Sequence, residues 1–122
     1  MSERFSVGSR IHSTRFAFNG LKILWREQHN ARVHFFATIA VVVAGLLLKL
    51  SALQWVMLLQ LIALVWIAEA LNTAVEYLCD RVTTEQDPLI GKAKDVAAAG
   101  VLIASITAFV GGLILFGSLA GC

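Results

Sequence analysis

The stretch "IAEALNTAVEYLCDR", residues 67–81, decides how the chain folds. It follows a run, 50–68, that carries no charge, and then sets Glu69, Asn72, Glu76 and Asp80 in quick succession. At about 100° per residue these four side chains share an arc of roughly 80°, so they form one stripe along a helix. The uncharged run before them has the composition of a membrane span. The stripe therefore starts near mid-depth or in one leaflet and climbs to water. A charged side chain at the bilayer centre costs roughly 2.5–3.5 kcal/mol on insertion scales, and less towards the interface. Such groups need partners or a task. Three readings meet that need: polar contacts between helices, a proton or ion path, or a site. For a site, a desolvated carboxylate suits a general base acting on a lipid hydroxyl. Shallower carboxylates suit magnesium or a water-soluble substrate.

The rest of the chain fits the membrane reading. Of 122 residues 58% are hydrophobic and 15% charged, too little charge for the surface of a soluble domain of this size. Residues 35–48 and 96–122 are uncharged as well. A span needs about 20 mostly apolar residues. Three fit, at about 31–49, 53–79 and 93–119, and the whole of 1–122 reads as a single membrane domain. The N-terminal thirty residues lack the apolar core and small-residue cleavage site of a signal peptide, so the chain reads as mature from its first residue. Cys79 and Cys122 read as free thiols.

Charge placement predicts orientation. Arg4, Arg10, Arg15, Lys22, Arg26 and Arg32 precede the first span, and Arg81, Lys92 and Lys94 lie between the second and third. The positive-inside rule puts the N-terminus and an 80–95 loop in the cytoplasm. Nucleic acid is a poor partner for these bases, because no compact basic domain carries them. Residues 10–27, "RIHSTRFAFNGLKILWRE", set Arg15, Asn19, Lys22 and Arg26 on one arc and Phe18, Leu21, Leu24 and Trp25 on another. That pattern predicts an amphipathic helix lying in the headgroup layer. In the third span Gly100, Ala104, Ala108 and Gly112 recur every four residues, which predicts a packing seam between helices. Three spans and a surface helix cannot by themselves shield a polar site from lipid, so the sites are expected between the subunits of a homo-oligomer.

"GKAKD", residues 91–95, adds Lys92 and Lys94 at the predicted start of the third span, where backbone N–H groups favour anions. Carboxylates, lysines and a helix start on one aqueous face suit a metal–nucleotide complex. The segment is no Walker A loop, since Lys92 is followed by Ala93 and position 86 is Gln86. His12, His29 and His34 have no metal-ligand spacing.

"AEALNTAVEYLCDRV" (68–82), followed by "GKAKDVAAAGVL" (91–102), resembles the small bacterial membrane diacylglycerol kinases and their relatives the undecaprenol kinases. The pattern E-x-x-N-[ST]-A-[IV]-E-x-x-x-D, then A-K-D, is filled by Glu69, Asn72, Thr73, Ala74, Val75, Glu76 and Asp80, then Ala93, Lys94 and Asp95. "FAFNGLK" and "HNARVHF" are also similar to the family. The resemblance implies a homotrimer in the bacterial inner membrane, with ATP- and magnesium-dependent sites between subunits at the cytoplasmic surface. It implies that Glu69 is the catalytic base, that Asn72 positions the substrate, and that Glu76 holds magnesium. Glu76, Asp80, Glu85, Asp87, Lys94 and Asp95 would serve the nucleotide. The second metal-binding glutamate of the family falls at Gln28, with Glu27 one step earlier as its substitute. In "EQD", 85–87, the aromatic residue of many relatives is missing. The segments "LSALQW", "DPL" and "AKDVAAAG" are more similar to the undecaprenol branch, which makes undecaprenol the expected substrate over diacylglycerol. The Gln28 departure leaves a second reading, a degenerate member or a small ion or proton conduit.

Overall fold

The computed structural model describes residues 6–83 and 85–121; Arg4 and Cys122 lie outside them. The described residues form four helices: α1 (Val7–Glu27), α2 (His29–Leu47), α3 (Ala52–Val82) and α4 (Pro88–Leu119). Three of these, α2, α3 and α4, are long and apolar enough to cross a membrane. At about 1.5 Å per residue the 31 residues of α3 span about 46 Å, well beyond a hydrocarbon core of about 30 Å. Its polar end therefore stands in the interface or in water.

Local chemistry sets each boundary. Ser6 caps α1, its hydroxyl accepting from the Ser9 N–H, so α1 starts three residues before the predicted Arg10. A single extended residue, Gln28, separates α1 from α2. Arg32 secures this elbow by donating to the carbonyls of Trp25 and Arg26, at 2.8 and 2.9 Å, which would otherwise be orphaned at the end of α1. Its guanidinium also lies 5.9 Å from the centre of the Trp25 ring.

At the opposite end α2 turns into α3 over 48–51. Lys49 takes a left-handed φ of 56°, and Ser51 with Gln54 forms a reciprocal capping box. Gly45 gives this turn room: a larger residue there would force the neighbouring side chains to shift. A Cβ would stand 2.9 Å from both Leu50 Cδ1 and Trp55 Cη2. Trp55 thus packs inward against the turn.

The predicted 80–95 loop is mostly helix. The break is only 83–87, and α4 opens at Pro88, five residues before the predicted start at 93. The Asp87 carboxylate caps it, accepting from Leu89 and Ile90 N–H, and Pro88 at the first turn needs no donor. Lys92, Lys94 and Asp95 consequently sit within α4 rather than ahead of it. The helix start to which an anion site was assigned already holds its own carboxylate.

α3 and α4 form a close hairpin, with Ala104 and Leu115 of α4 buried and Leu61 of α3 against Gly111. A Cβ at Gly111 would lie 2.9 Å from Leu61 Cδ1. The predicted seam is therefore displaced within this chain. Ala104 packs, but the closest approach is at Gly111, and a Cβ at Gly100 or Gly112 would meet nothing within 4 Å. A small core of Leu50, Leu58 and Leu115 lies towards the 48–51 turn. α2 contacts the hairpin far less than α3 and α4 contact each other, and α1 is exposed except around Leu24. Many large apolar side chains, among them Leu47, Leu53, Val96 and Phe109, are left bare by a single chain. A protein with that surface belongs in a membrane.

Candidate functional site

The stripe of α3 divides into two environments. Glu69 is only 2% exposed, and Thr73, one turn on, is buried too. Glu69 Oε2, Asn72 Oδ1 and Thr73 Oγ1 are all buried without a hydrogen-bond partner among the described residues. Buried polar atoms are seldom left unsatisfied, so three neighbours on one helix face mark a place built to receive polar groups from elsewhere. From α2, His34 brings Nε2 to 3.5 Å from Glu69 Oε2. A second rung lies alongside, where the Trp66 indole N–H donates to Thr38 Oγ1 at 3.0 Å. Antiparallel packing of α2 on α3 produces both rungs.

An apolar groove of about 430 Å³ lies between α2, α3 and α4, with His34, Thr38, Val65, Trp66, Phe109 and Leu113 among its walls. Its polar atoms are largely spent on one another: Thr38 Oγ1 accepts from Trp66 and donates to the His34 carbonyl at 2.6 Å. The wall is thus hydrocarbon in character, and it reaches His34, which touches the buried carboxylate.

The far end of the stripe is wet. Lys94 Nζ donates to Asp80 Oδ1 at 2.7 Å, with the two side chains 42% and 63% exposed. They border a second hollow of about 540 Å³ that also takes in Thr83, Glu85, Asp87 and Gly91. Within it the Asp87 carboxylate is engaged as the α4 cap, and the Glu85 N–H donates to Thr83 Oγ1. Three carboxylates around one lysine would repel a bare phosphate and accept one accompanied by a cation.

Between the two environments, Tyr77 ties α1 to α3. Its hydroxyl donates to Glu27 Oε1 at 2.9 Å and accepts from Gln28 Nε2 at 3.5 Å. Glu27 and Gln28 are thereby held beside α3 within a turn of the half-buried Glu76. Among the described residues, no three His, Cys, Asp or Glu side chains converge as a metal-ligand cluster. Asp95 is exposed and is not drawn into either hollow. His34 and Tyr77 are absent from the predicted site. Each meets its partner across a helix–helix contact, and no spacing in the sequence reveals such a pairing.

A family model described as prokaryotic diacylglycerol kinase matches residues 15–116. The undecaprenol kinase of Bacillus subtilis is 35% identical over 91 residues, 75% of this chain and 74% of that one. The diacylglycerol kinase of Escherichia coli K12 is 35% identical over 108 residues, 88% of both chains. That of Synechocystis is 39% identical over 105 residues, 84% of this chain and 60% of that one. The conduit reading has no counterpart among these relatives.

Proposed function

The chain belongs to the prokaryotic diacylglycerol kinase family and is a lipid kinase, and on that premise we propose that it transfers the γ-phosphoryl group of ATP to the hydroxyl of undecaprenol in preference to diacylglycerol. The observation that carries this reading is the buried Glu69, with Asn72 and Thr73 unsatisfied beside it and a hydrocarbon groove next to it.

The lipid hydroxyl donates to Glu69, which takes its proton as general base. The freed oxygen forms a bond to the γ-phosphorus as the bridging P–O bond breaks, releasing ADP. Asn72 positions the hydroxyl. Lys94 offsets phosphate charge as transfer proceeds, and Asp80 aims the lysine. Glu85 lines the nucleotide hollow, and Asp87 shapes it by fixing the start of α4. Asp95, exposed next to Lys94 on α4 but outside the hollow, would meet only a part of the nucleotide that extends beyond it. Magnesium binds through one or two carboxylates together with substrate phosphates and water, so the lack of a three-ligand cluster does not exclude it. Glu76 would hold it, and Glu27, presented by Tyr77, would take the place left by the neutral Gln28. Bound there, the ion would neutralise charge on the phosphates.

The apolar groove supports the preference for undecaprenol. Its walls are mostly hydrocarbon and the Thr38 and Trp66 polar atoms are paired, which suits a plain isoprenoid chain more than two ester groups. The bare apolar surface and the half-built metal site support assembly as a homotrimer, with neighbours completing each site. α1 would lie in the headgroup layer. Basic residues before α2 and around 83–94 support a cytoplasmic placement of that end in the bacterial inner membrane.

The test is purified protein with labelled ATP and either undecaprenol or diacylglycerol. Labelled undecaprenyl phosphate is expected, with diacylglycerol a poorer acceptor. No labelled lipid from either alcohol overturns the reading, and faster labelling of diacylglycerol overturns the preference.

A further inference from the structure

We propose that His34 is a positioning residue for the base, donating from Nε2 to Glu69 Oε2 so that the other carboxylate oxygen is turned to the substrate hydroxyl. This assignment rests on the kinase reading above. A carboxylate 2% exposed cannot rely on water for orientation, and an isolated buried charge is costly. His34 is the one side chain whose donor comes within ion-pair distance of it among the described residues. The 3.5 Å separation exceeds a formed N–H···O bond, as catalytic contacts often do before substrate binds and tightens them.

The fold holds the imidazole there. Thr38, one turn beyond His34, is fixed by two hydrogen bonds, one to the His34 carbonyl and one from Trp66. Trp66 is three residues before Glu69 on the same face of α3, and its indole stands edge-on to the His34 ring at 6.5 Å. The two rungs lock α2 and α3 in the register that sets imidazole against carboxylate. His34 also walls the apolar groove, so the same ring touches both the lipid seat and the base. Donation from Nε2 takes up Glu69 Oε2, leaving Oε1 to receive the proton of the hydroxyl.

Two measurements test this. In the first, His34→Met removes the donor at nearly constant volume, while His34→Gln keeps an N–H near the Nε2 position. Met should lower kcat roughly ten- to hundredfold, the scale of a misplaced catalytic group, with the KM for ATP unchanged. Gln should restore most of the loss, and Met should add no further loss in a Glu69→Gln background. If Met does not fold, His34→Asn, whose amide stops short of Glu69, replaces it. In the second, nitrogen NMR of His34 should find the proton on Nε2 and a resonance that moves in Glu69→Gln. Unchanged turnover in Met or Asn, or an unmoved resonance, overturns the assignment. A wild-type protein that labels no lipid overturns the kinase reading instead, and the NMR result still decides whether His34 and Glu69 are paired.

Discussion

Glu69 and Asp80 lie on one stripe of one helix, three turns apart, yet they occupy opposite physical situations. Glu69 is sealed from solvent, faces a single half-exposed imidazole and has an oxygen without a hydrogen bond. Asp80 is open to water and already holds Lys94 at 2.7 Å. The same functional group is therefore set up for different work. The buried carboxylate sits where a hydrogen bond or a proton is worth most, because no water competes for it. The exposed one is screened, and can release its lysine to a phosphate at little cost. On the proposed reading, depth along one helix divides lipid chemistry from nucleotide handling.

Removing the buried charge while keeping the shape attacks this contrast at its strongest point. Glu69→Gln should lower turnover by about 10²–10⁴, the usual contribution of a general base. It should not lower the thermal midpoint, because the variant no longer buries a carboxylate. A variant that keeps its activity would erase the distinction between the two acids. At the exposed end, Lys94→Met should raise the KM for ATP roughly tenfold or more, the scale of a hydrogen bond to a charged group, and leave binding of the lipid alcohol unchanged. Equal damage to both substrates would mean that the two environments act as one.

The contrast was only partly visible before folding. Periodicity placed Glu69, Asn72, Glu76 and Asp80 on one face, and the uncharged run before Glu69 placed that residue deep. Both follow from helix geometry alone. The start of α4 is less legible, because the charges at 81–94 read as loop although Asp87-Pro88 is a strong helix start. The small-residue stripe pointed to the correct helix and Ala104 is buried, while within the chain the contact with Leu61 falls to Gly111, since which of two adjacent glycines meets it depends on the rotation of α4. His34 and Tyr77 could not be found at all. Only the crossing of α2 and α1 against α3 gives them roles.

Between the extremes stands the elbow of α1 and α2. Gln28→Glu should lower the magnesium concentration for half-maximal turnover by a few-fold, because a carboxylate outcompetes an amide oxygen for a hard cation. The effect should be modest, since Glu27 is already anchored beside α3 by Tyr77. No change would mean that Glu27 fully serves in this position, and the Tyr77→Phe background, which frees Glu27, should then bring the dependence out.

The smallest effect should come from Asp80→Asn measured as stability. The short contact to Lys94 invites the view that it staples α3 to α4, yet both side chains are substantially exposed. An exposed pair gives back in side-chain ordering most of what it gains in attraction, and salt screens the rest. The hairpin is held instead by Ala104, Gly111 and Leu115 against α3, contacts that no salt weakens. Thermal unfolding of Asp80→Asn in detergent should match the wild type within error, and any residual difference should vanish at high ionic strength. A large, salt-independent loss would mean that the pair is structural, and Lys94 would then not be free to leave Asp80 for a phosphate.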